Sequence, residues 1–313
     1  MSKTVILVLQ QTNTLSLAAA VDPLRAANRH AGRARFDWQF ATPEARDVML
    51  TCGLGVPAAP IHRVTGCDLL IVVAGFDLAA QATPHLMASL RRLAGRDTTV
   101  MAIDGGPWIT AQAGLLYGLR ATTHWEDLDN FAAAFDEVET VNARYVVSGH
   151  RWTSGGAAPA LDMMLHLIQT RLGDSVARQV AAGFIHTTRP APSDPQLRHP
   201  PAPGHSAITA RAHQLMEAHL EQPLPLTAIA THLGRSPRSL QQHFRRSLGI
   251  TAKAHYRALR LTEAHRLLTQ TRLNLQDIAL STGFNSTSSF SRAYTLQYGV
   301  SPGKARSSLH LAQ

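Results

Sequence analysis

A proline-rich segment divides this chain and limits what can fold on either side of it. Six prolines fall between Pro190 and Pro203. Because proline fixes φ and lacks an N–H group, neither a helix nor a central strand can run through this stretch. Residues 188–207 are therefore predicted to form an extended linker. A chain of 313 residues is long enough for one domain on each side, at residues 1–187 and 208–313.

The net charge is distributed unevenly between these two parts. The chain before residue 206 carries 17 basic and 17 acidic side chains, whereas residues 206–313 carry 13 basic and four acidic ones. The whole excess of +9 therefore lies in the last third of the chain. A small basic domain joined to a neutral one favours a polyanionic partner such as nucleic acid, although a solvated basic face would give the same pattern.

Composition excludes several classes of protein. The two cysteines, Cys52 and Cys67, have no His or Cys at metal-ligand spacing, which excludes a zinc ribbon or a disulfide scaffold. The histidines other than His124 are scattered along the chain and suggest no metal site. No cofactor is expected. The apolar runs are far shorter than the roughly 18 residues that cross a bilayer. Because the N-terminus also lacks the features of a signal peptide, we expect a cytoplasmic protein without a membrane partner.

Apolar runs alternate with helical patterns in the N-terminal part. Continuously apolar runs suit strands that are buried on both faces of a parallel sheet. Alternation on this scale predicts a doubly wound α/β fold, in which ligands bind at the carboxyl ends of the strands. The turns at Gly75 and Asp104 would then lie at the mouth of a pocket. The strand candidates are residues 5–9, 36–41, 68–74 and 99–103, and the helix candidates are residues 15–29, 85–93, a stretch ending at Leu116, 157–171 and 175–186.

The C-terminal part contains an internal repeat of about 50 residues. Leu226-Thr-Ala-Ile-Ala matches Leu275-Gln-Asp-Ile-Ala at an offset of 49, and later positions match at an offset of 50. Each copy reads as a short helix, a Gly turn and a second helix that Ser236 or Ser286 can cap. This layout is typical of a helix-turn-helix, so we predict an all-α domain with two such units.

The second helix of each copy carries side chains that suit DNA, opposite its apolar positions. Arg and Gln can hold base edges through paired hydrogen bonds in the major groove, and hydroxyl groups suit phosphate oxygens. Two such helices in one rigid domain can enter major-groove segments about one turn apart, roughly 34 Å. The alternative interpretation is an ordinary helical bundle with surface Arg and Gln. The candidate DNA-contacting residues are Arg238, Gln241, Gln242 and Arg245 in the first copy and Thr287, Ser288, Ser291 and Arg292 in the second.

Several motifs of the C-terminal part point to a known family. They include Arg260-Leu261, Gly283-Phe284, Phe290-Ser-Arg-Ala-Tyr294 and Gly299-Val-Ser-Pro302. With them, residues 208–306 resemble the DNA-binding domain of the AraC/XylS family of bacterial transcription regulators. The resemblance implies double-stranded operator DNA as the partner, and base contacts within the candidate set given above.

The same resemblance predicts how the two units are joined. A long central helix, here at about residues 252–269, connects them in that family. Two residues depart from the family pattern: Ala252 stands where the first copy often has Pro, and Ala305 stands where the last motif usually has Tyr. Both are packing positions, so we expect them to affect local stability rather than DNA binding.

The N-terminal part resembles a second family through fewer motifs. Asp104-Gly-Gly-Pro107 and Arg120-Ala-Thr-Thr-His124-Trp125 look like the DJ-1/PfpI, class I glutamine amidotransferase-like domain, which has a flavodoxin-like sheet. In that family a Cys occupies the turn after a central strand, and a His follows about 20 residues later. His124 keeps this spacing, but Asp104 stands at the Cys position. Because a carboxylate is a weak nucleophile, we interpret the site as a former active site that now binds a ligand.

The candidate ligand site contains two carboxylates and several rings. Asp22 matches a position where relatives carry an acid facing the turn, so it is expected beside Asp104, with His124, Trp125 and Trp108 close by. Carboxylates and aromatic faces suit an amine or a quaternary ammonium group. Fusions with Asp at this turn resemble regulators that respond to arginine, carnitine or glycine betaine. Two alternatives stay open, namely that Asp104 only caps a helix and that His124 and Trp125 form a structural pair.

Together, these features predict a sequence-specific transcription regulator, an activator, that binds an amine-bearing effector in a catalytically inactive α/β domain. Such control requires the effector to bind two states of the protein with different affinities. The resemblance implies a homodimer formed through the N-terminal domain, RNA polymerase as a further partner, and a place on the bacterial nucleoid. The alternative function is a DJ-1/PfpI-type hydrolase or glyoxalase-like enzyme tethered to DNA, which the missing Cys disfavours.

Overall fold

The apolar runs become strands and the periodic segments become helices. The structure, a computed structural model, describes residues 1–44, 46–186, 190–196, 204–271 and 273–310, within two units, Met1–Gln196 and Leu197–Gln313. No helix in this described part is long and apolar enough to span a membrane. The strands are β1 (Ser2–Val8), β2 (Phe36–Thr42), β3 (Val48–Met49), β4 (Gly55–Val56), β5 (Ala59–Pro60), β6 (Leu69–Ala74), β7 (Thr99–Asp104), β8 (Arg120–Ala121), β9 (Glu139–Thr140), β10 (Tyr145–Ser148) and β11 (Arg151–Ser154). The helices are α1 (Thr14–His30), α2 (Leu78–Gln81), α3 (Pro84–Leu93), α4 (Gly106–Gln112), α5 (Leu128–Ala134), α6 (Ala157–Leu172), α7 (Asp174–Gly183), α8 (Ala207–Glu217), α9 (Leu226–His232), α10 (Pro237–Leu248), α11 (Ala252–Gln270), α12 (Leu275–Ser281), α13 (Thr287–Tyr298) and α14 (Pro302–His310).

Seven strands of the N-terminal unit form one sheet, in the order β10-β11-β7-β6-β1-β2-β5. Neighbouring strands are parallel except for β10 and β11, which are antiparallel. Numbered among themselves, the five longer parallel-paired strands run 2-1-3-4-5, which is the flavodoxin-like order. The predicted doubly wound α/β fold is therefore confirmed.

Helices cover both faces of this sheet, which explains the unbroken apolar runs in the middle of its central strands. On β1, Ile6 and Val8 pack with α1, α6 and α7, whereas Val5 and Leu7 pack with α3 and α4. Successive strand residues point to opposite faces, so two covered faces require an uninterrupted apolar run. The polar functional groups are left to the strand ends, where β1, β6 and β7 finish at the same edge.

The described part of the proline-rich segment, which the sequence predicts as an extended linker, makes specific hydrogen bonds. Residues 190–196 lie against the N-terminal unit, where Pro192 O accepts a hydrogen bond from the backbone of the edge strand β10. The Gln196 side chain is buried and donates to two backbone carbonyl oxygens. Proline removes donors but not acceptors, which lets this stretch pair with an edge. Residues 187–189 and 197–203 lie outside the described part, so the limits of the linker stay a prediction.

The C-terminal unit contains the two helix-turn-helix units that the repeat predicts. They are α9–α10 and α12–α13, and their second helices begin after Ser236 and Ser286. Each of these serines accepts a hydrogen bond at its hydroxyl from a backbone N–H three residues later, which confirms both predicted caps. The matched residues Leu240 and Phe290 are fully buried, so the repeated apolar positions form the cores of the two units.

Helix α11 is the predicted central helix, and it belongs to both cores. Tyr256 and Leu259 pack with the first helix-turn-helix unit, whereas Leu261 and Ala264 pack with the second. Arg260 lies between these pairs and contacts the second unit by its side chain. Its guanidinium donates to the carbonyl oxygens at the α12–α13 turn at 2.7 and 2.5 Å and lies 4.1 Å from the centre of the Phe284 ring.

Ala252 departs from the family pattern, and a side chain pairs the backbone N–H group that a proline would lack. As the first residue of α11 it has an N–H group that the helix itself cannot pair. This N–H donates to Oε1 of Gln241, at 3.2 Å. At the matched position of the second copy stands Pro302, which has no N–H to satisfy. Gln241 therefore stabilises the start of α11, and the matched start of α14 at Pro302 needs no such contact.

This pairing gives a prediction about stability. We expect Gln241→Ala to lower the free energy of unfolding by about 1 kcal/mol, because it leaves the Ala252 N–H without its acceptor. In an Ala252→Pro background, the same substitution should cost nothing, because the donor is gone. The measurement is a double-mutant cycle by urea unfolding. Equal effects of Gln241→Ala in both backgrounds would contradict the assignment.

A buried ion cluster stabilises the N-terminal unit. Asp162 of α6 is 1% exposed and accepts hydrogen bonds from Arg144 and from His186, each at 2.7 Å. The cluster joins strand β10 and the end of α7 to α6. Because its carboxylate is buried, removing it leaves a partly buried guanidinium without its partner, which is costly.

We therefore expect Asp162→Ala to destabilise the protein by about 3 kcal/mol. Asp22→Ala is the matched control, since Asp22 pairs with Arg25 on the surface of α1 and both side chains are about half exposed. An exposed pair of this kind contributes less than about 1 kcal/mol. Chemical denaturation of the two variants measures the difference, and similar losses of stability would show that the buried cluster is not special.

Candidate functional site

The first candidate reading helix, α10, presents most of its predicted DNA-contacting residues to solvent. Arg238, Gln242 and Arg245 are exposed, whereas Leu240 and Phe244 on the other side of the helix are fully buried. The helix begins at Pro237 and points a positively charged, hydrogen-bonding face outward. Such a face suits a major groove, in which Arg holds guanine and Gln holds adenine through two bonds each.

Gln241 differs from the other three residues predicted on this helix. It is half-buried, and its Oε1 accepts the hydrogen bond from Ala252 described above. A paired contact to adenine uses both the oxygen and the nitrogen of the amide. Gln241 is therefore not placed to read a base while that bond persists, and no pattern in the sequence indicates this structural role.

The second candidate reading helix, α13, has a less basic face. Ser288 and Arg292 are exposed, and Thr287 and Ser291 are half-buried at the edge of the same face. Arg292 Nε lies 3.4 Å from the Ser288 carbonyl oxygen, one turn earlier. Hydroxyl groups and a single guanidinium suit a mixture of phosphate and base contacts. We call α10 and α13 the reading helices from here on.

The N-terminal unit has its own candidate site, at the carboxyl end of β7. Asp104 is the last residue of that strand and has φ of 64°. A non-glycine residue in this left-handed region is uncommon, and such strain collects at functional positions. Helix α4 is capped by Gly105 and not by the Asp104 side chain. The alternative interpretation of Asp104 as a helix cap is therefore wrong.

Two glycines let the chain approach Asp104 closely. A Cβ atom on Gly75 would collide with the backbone oxygen of Gln11, and one on Gly106 would collide with the backbone oxygen of Val72. Gly75 thus lies at the predicted pocket mouth for a steric reason. The strand-to-helix turn that holds Asp104 is therefore packed closely against its neighbouring backbone.

Ser16, and not Asp22, contacts Asp104 from α1. Its hydroxyl donates to Asp104 Oδ2 at 2.8 Å. Asp22 lies six residues further along the helix, about 9 Å away at 1.5 Å per residue, and pairs with Arg25 at the surface. The prediction that Asp22 shares the cleft with Asp104 is therefore wrong. The error is one of register, because the first turn of α1 rather than its middle faces the strand ends.

A cavity of about 850 Å³ opens beside Asp104. Its lining in the described part of the chain includes four carboxylates and no Lys or Arg. Aromatic rings also contribute, from Phe76, Trp108 and Phe135. The four carboxylates belong to Asp77, Asp104, Glu126 and Asp127.

Burial affects the acids of this cavity. It raises the pKa of Asp104, and the negative charge of Glu126 adds to the rise, whereas the Ser16 hydrogen bond and His124 oppose it. Burial likewise raises the pKa of Asp127. A raised carboxyl pKa means that the anionic form is destabilised. A cation bound here would relieve that destabilisation, and an anion would increase it.

Of the predicted pair His124 and Trp125, only His124 lines the cavity. The His124 ring lines the cavity, and its Nδ1 lies 3.6 Å from a carboxylate oxygen of Glu126. The Trp125 ring lies 5.5 Å from the His124 ring but does not line the cavity. Trp108 does line it, with Phe135 packed edge-on at 5.4 Å. Of the two tryptophans predicted near the site, Trp108 and not Trp125 is therefore available to a ligand.

Several lining residues were missed from the sequence, and some of them left a signal. Glu126 and Asp127 follow His124 and Trp125 directly, so the acidic character of this loop is visible in the sequence. Asp77 follows the turn after β6 and has φ of 53°, a second strained acid at the same sheet edge. Ser16 left no such signal, since a serine in the first turn of a helix is ordinary.

Comparison with known families agrees with both halves of the structure. The profile of the DJ-1/PfpI family matches residues 2–170, and that of a helix-turn-helix domain matches residues 229–308. Among solved structures, an AraC family transcriptional regulator from Pseudomonas putida superposes with a TM-score of 0.53 at 20% identity, covering 59% of this chain and all of that one. At this identity the likeness shows the fold alone.

Curated relatives match over almost the whole chain. The HTH-type transcriptional regulator CdhR of Pseudomonas aeruginosa is 34% identical over 310 residues, which cover 97% of this chain and 91% of that protein. GlxA of Rhizobium meliloti, also an HTH-type transcriptional regulator, is 35% identical over 93% of this chain and 91% of its own length. The chain therefore belongs to the AraC-type helix-turn-helix transcriptional regulators with a DJ-1/PfpI domain, and it is a DNA-binding regulator.

Proposed function

We propose that this regulator contacts operator DNA through its two reading helices and is controlled by a small cationic effector, an amine or a quaternary ammonium compound. The effector binds in the cavity beside Asp104. The observation that carries this proposal is the charge of the lining, which has four carboxylates, one histidine and no Lys or Arg in the described part of the chain. An enclosed group of acids binds a cation far better than a neutral or anionic molecule.

The other lining groups narrow the class of effector. Trp108 offers an aromatic face, which attracts ammonium and guanidinium groups. Its Nε1 is buried and has no hydrogen-bond partner among the described residues. A ligand that also carries an acceptor, such as a carboxylate, would satisfy this donor. Both features together favour an amino acid or a betaine, with its cationic end at the acids.

The same site argues for binding rather than catalysis. The strained turn holds a carboxylate where the resemblance expects a thiol, and neither cysteine lines the cavity. Cys52 is exposed, and its Sγ accepts a hydrogen bond from the Thr14 hydroxyl, whereas Asp104 is bonded to Ser16. Amidase, peptidase and glyoxalase assays on the purified protein test this directly. Turnover that Asp104→Ala abolishes would instead support the DNA-tethered enzyme.

On the DNA side, Arg238, Gln242 and Arg245 of α10 and Ser288 and Arg292 of α13 are the contacts that we propose. All five are exposed on their helices. Thr287 and Ser291 add hydroxyl groups at the edge of the second face. The protein then acts as an activator and homodimer, in which effector binding to the α/β unit changes operator occupancy and contact with RNA polymerase.

The DNA contacts give a prediction with a matched control. Arg238→Ala and Gln242→Ala should each weaken specific operator binding by about 1–3 kcal/mol, the usual range for a paired base contact. Gln214→Ala, an exposed glutamine of α8, should leave it unchanged. Gel-shift titration of full-length protein measures all three. Wild-type affinity in both α10 variants would remove this helix from the interface.

The effector site gives a prediction that can be measured without DNA. Calorimetric titration with arginine, carnitine and glycine betaine should find one ligand whose binding Asp104→Asn weakens at least about tenfold, or 1.4 kcal/mol. Asp22→Asn should bind it like the wild type, because Asp22 lies outside the cavity. The opposite ranking of the two variants would return the site to Asp22.

The pH dependence of that binding has a fixed sign. A cation binds to ionised carboxylates, and the pKa of Asp104 is raised by burial. Affinity should therefore fall as the solution is acidified through this raised pKa, at a higher pH than for an ordinary aspartate. Titration at several pH values measures this, and affinity that rises on acidification would contradict a cationic effector.

A further inference from the structure

Three histidines that are distant in the sequence meet beside the first helix-turn-helix unit. His205 precedes Ser206, the N-cap of α8, while His213 belongs to α8 and His255 to α11. One ring nitrogen of each lies within 4.8 Å of the other two. The three rings are 5.1–5.3 Å apart, centre to centre. This three-histidine cluster belongs to neither of the sites described above.

The described hydrogen bonds leave one nitrogen of the cluster, on His205, without a partner. His213 Nδ1 and His255 Nε2 lie 2.9 Å apart, a hydrogen bond that requires one of the two nitrogens to be unprotonated. His205 Nδ1 is buried and has no hydrogen-bond partner among the described residues. A buried polar atom without a partner is destabilising. A group that accepted lone pairs from all three rings would remove that cost.

We propose that His205, His213 and His255 bind one divalent transition-metal ion, with zinc as the ion that this ligand set suits best. Imidazole nitrogen is a preferred ligand of Zn²⁺, and three histidines with a water in the fourth position form a familiar tetrahedral set. Neither a thiolate nor a carboxylate is needed.

Small movements bring the cluster to coordination geometry. Zinc–nitrogen bonds of about 2.0–2.1 Å in a tetrahedron place the nitrogens about 3.3 Å apart. The 2.9 Å pair of His213 and His255 has only to open slightly, and the donor ring has to move its proton from the bonded nitrogen to its other ring nitrogen. His205 then has to approach by roughly 1.5 Å from the 4.8 Å limit. Its position outside a helix, before the cap of α8, permits this shift.

The site would act on the reading helix α10 through the buried face of that helix. Phe244, fully buried on α10, lies with its ring 5.1 Å from that of His255 and 6.5 Å from that of His205. A metal ion would hold the residue before α8 to α11 and fix both rings against this phenylalanine. The exposed DNA-contacting side chains of α10 lie on the other face, so the ion would stabilise the helix without touching DNA.

Zinc binding to untagged, full-length protein tests the proposal. Protein stripped with a chelator is titrated with Zn²⁺ in competition with a chromophoric chelator. We expect one tightly bound ion per chain, and at least tenfold weaker binding in both His205→Gln and His255→Gln. His232→Gln, an exposed histidine of α9, is the control and should bind like the wild type. Bound Co²⁺ should show the visible absorption of a tetrahedral site, and His205→Gln should lose it.

Each outcome decides the question. His205→Gln removes the ring that makes no hydrogen bond through Nδ1 and leaves the bond between His213 and His255 in place, so we expect this variant to stay folded. Circular dichroism and operator binding confirm folding. The proposal is overturned if the wild type binds no stoichiometric zinc. It is equally overturned if folded His205→Gln binds zinc as tightly as the wild type, because other members of the 16 histidines would then hold the ion.

Discussion

The packing of one continuous helix into two cores organises the DNA-binding unit. The N-terminal half of α11 supplies Tyr256 and Leu259 to the first helix-turn-helix unit, and its C-terminal half supplies Leu261 and Ala264 to the second. From Tyr256 to Ala264 the helix rises about 12 Å. Because a helix is stiff over that length, the two reading helices are attached to the same rigid element. Two base-reading surfaces can meet a single duplex only if their spacing is fixed in this way.

The side-chain contacts of Arg260 give a physical reason for the arginine in the Arg260-Leu261 motif. Its backbone lies in α11, but its guanidinium satisfies carbonyl oxygens of the turn in the second unit and lies over the Phe284 ring. A turn between two short helices has carbonyl groups without helical partners. One side chain from the central helix thus both pairs them and covers the aromatic residue after the turn. Lysine, with a single compact ammonium group, lacks the planar fork that does both.

The sequence predicts those elements whose local residue pattern follows directly from a physical requirement of the fold. The strands β6 and β7 were found because both faces of the sheet are covered, and the caps Ser236 and Ser286 because the repeat supplies two copies of one signal. The site residues were predicted less well because side-chain contacts depend on register. Asp22 and Ser16 lie on the same helix, and only the position of its first turn relative to the strand ends decides which of them contacts Asp104.

Gln241 and the three-histidine cluster show a different limit of prediction. Gln241 occupies a position that the reading face would use, yet it serves the start of α11 because Ala252, unlike the proline that the family pattern expects, has an N–H group there. The departure from the family pattern and its compensation are eleven residues apart, so either one alone looks like an isolated exception. His205, His213 and His255 are separated by eight and 42 residues, and no ligand spacing in the sequence connects them. They meet because α8 and α11 pack against the same buried face of α10, around Phe244. A side-chain cluster of this kind is a product of helix packing, and for that reason only the fold reveals it.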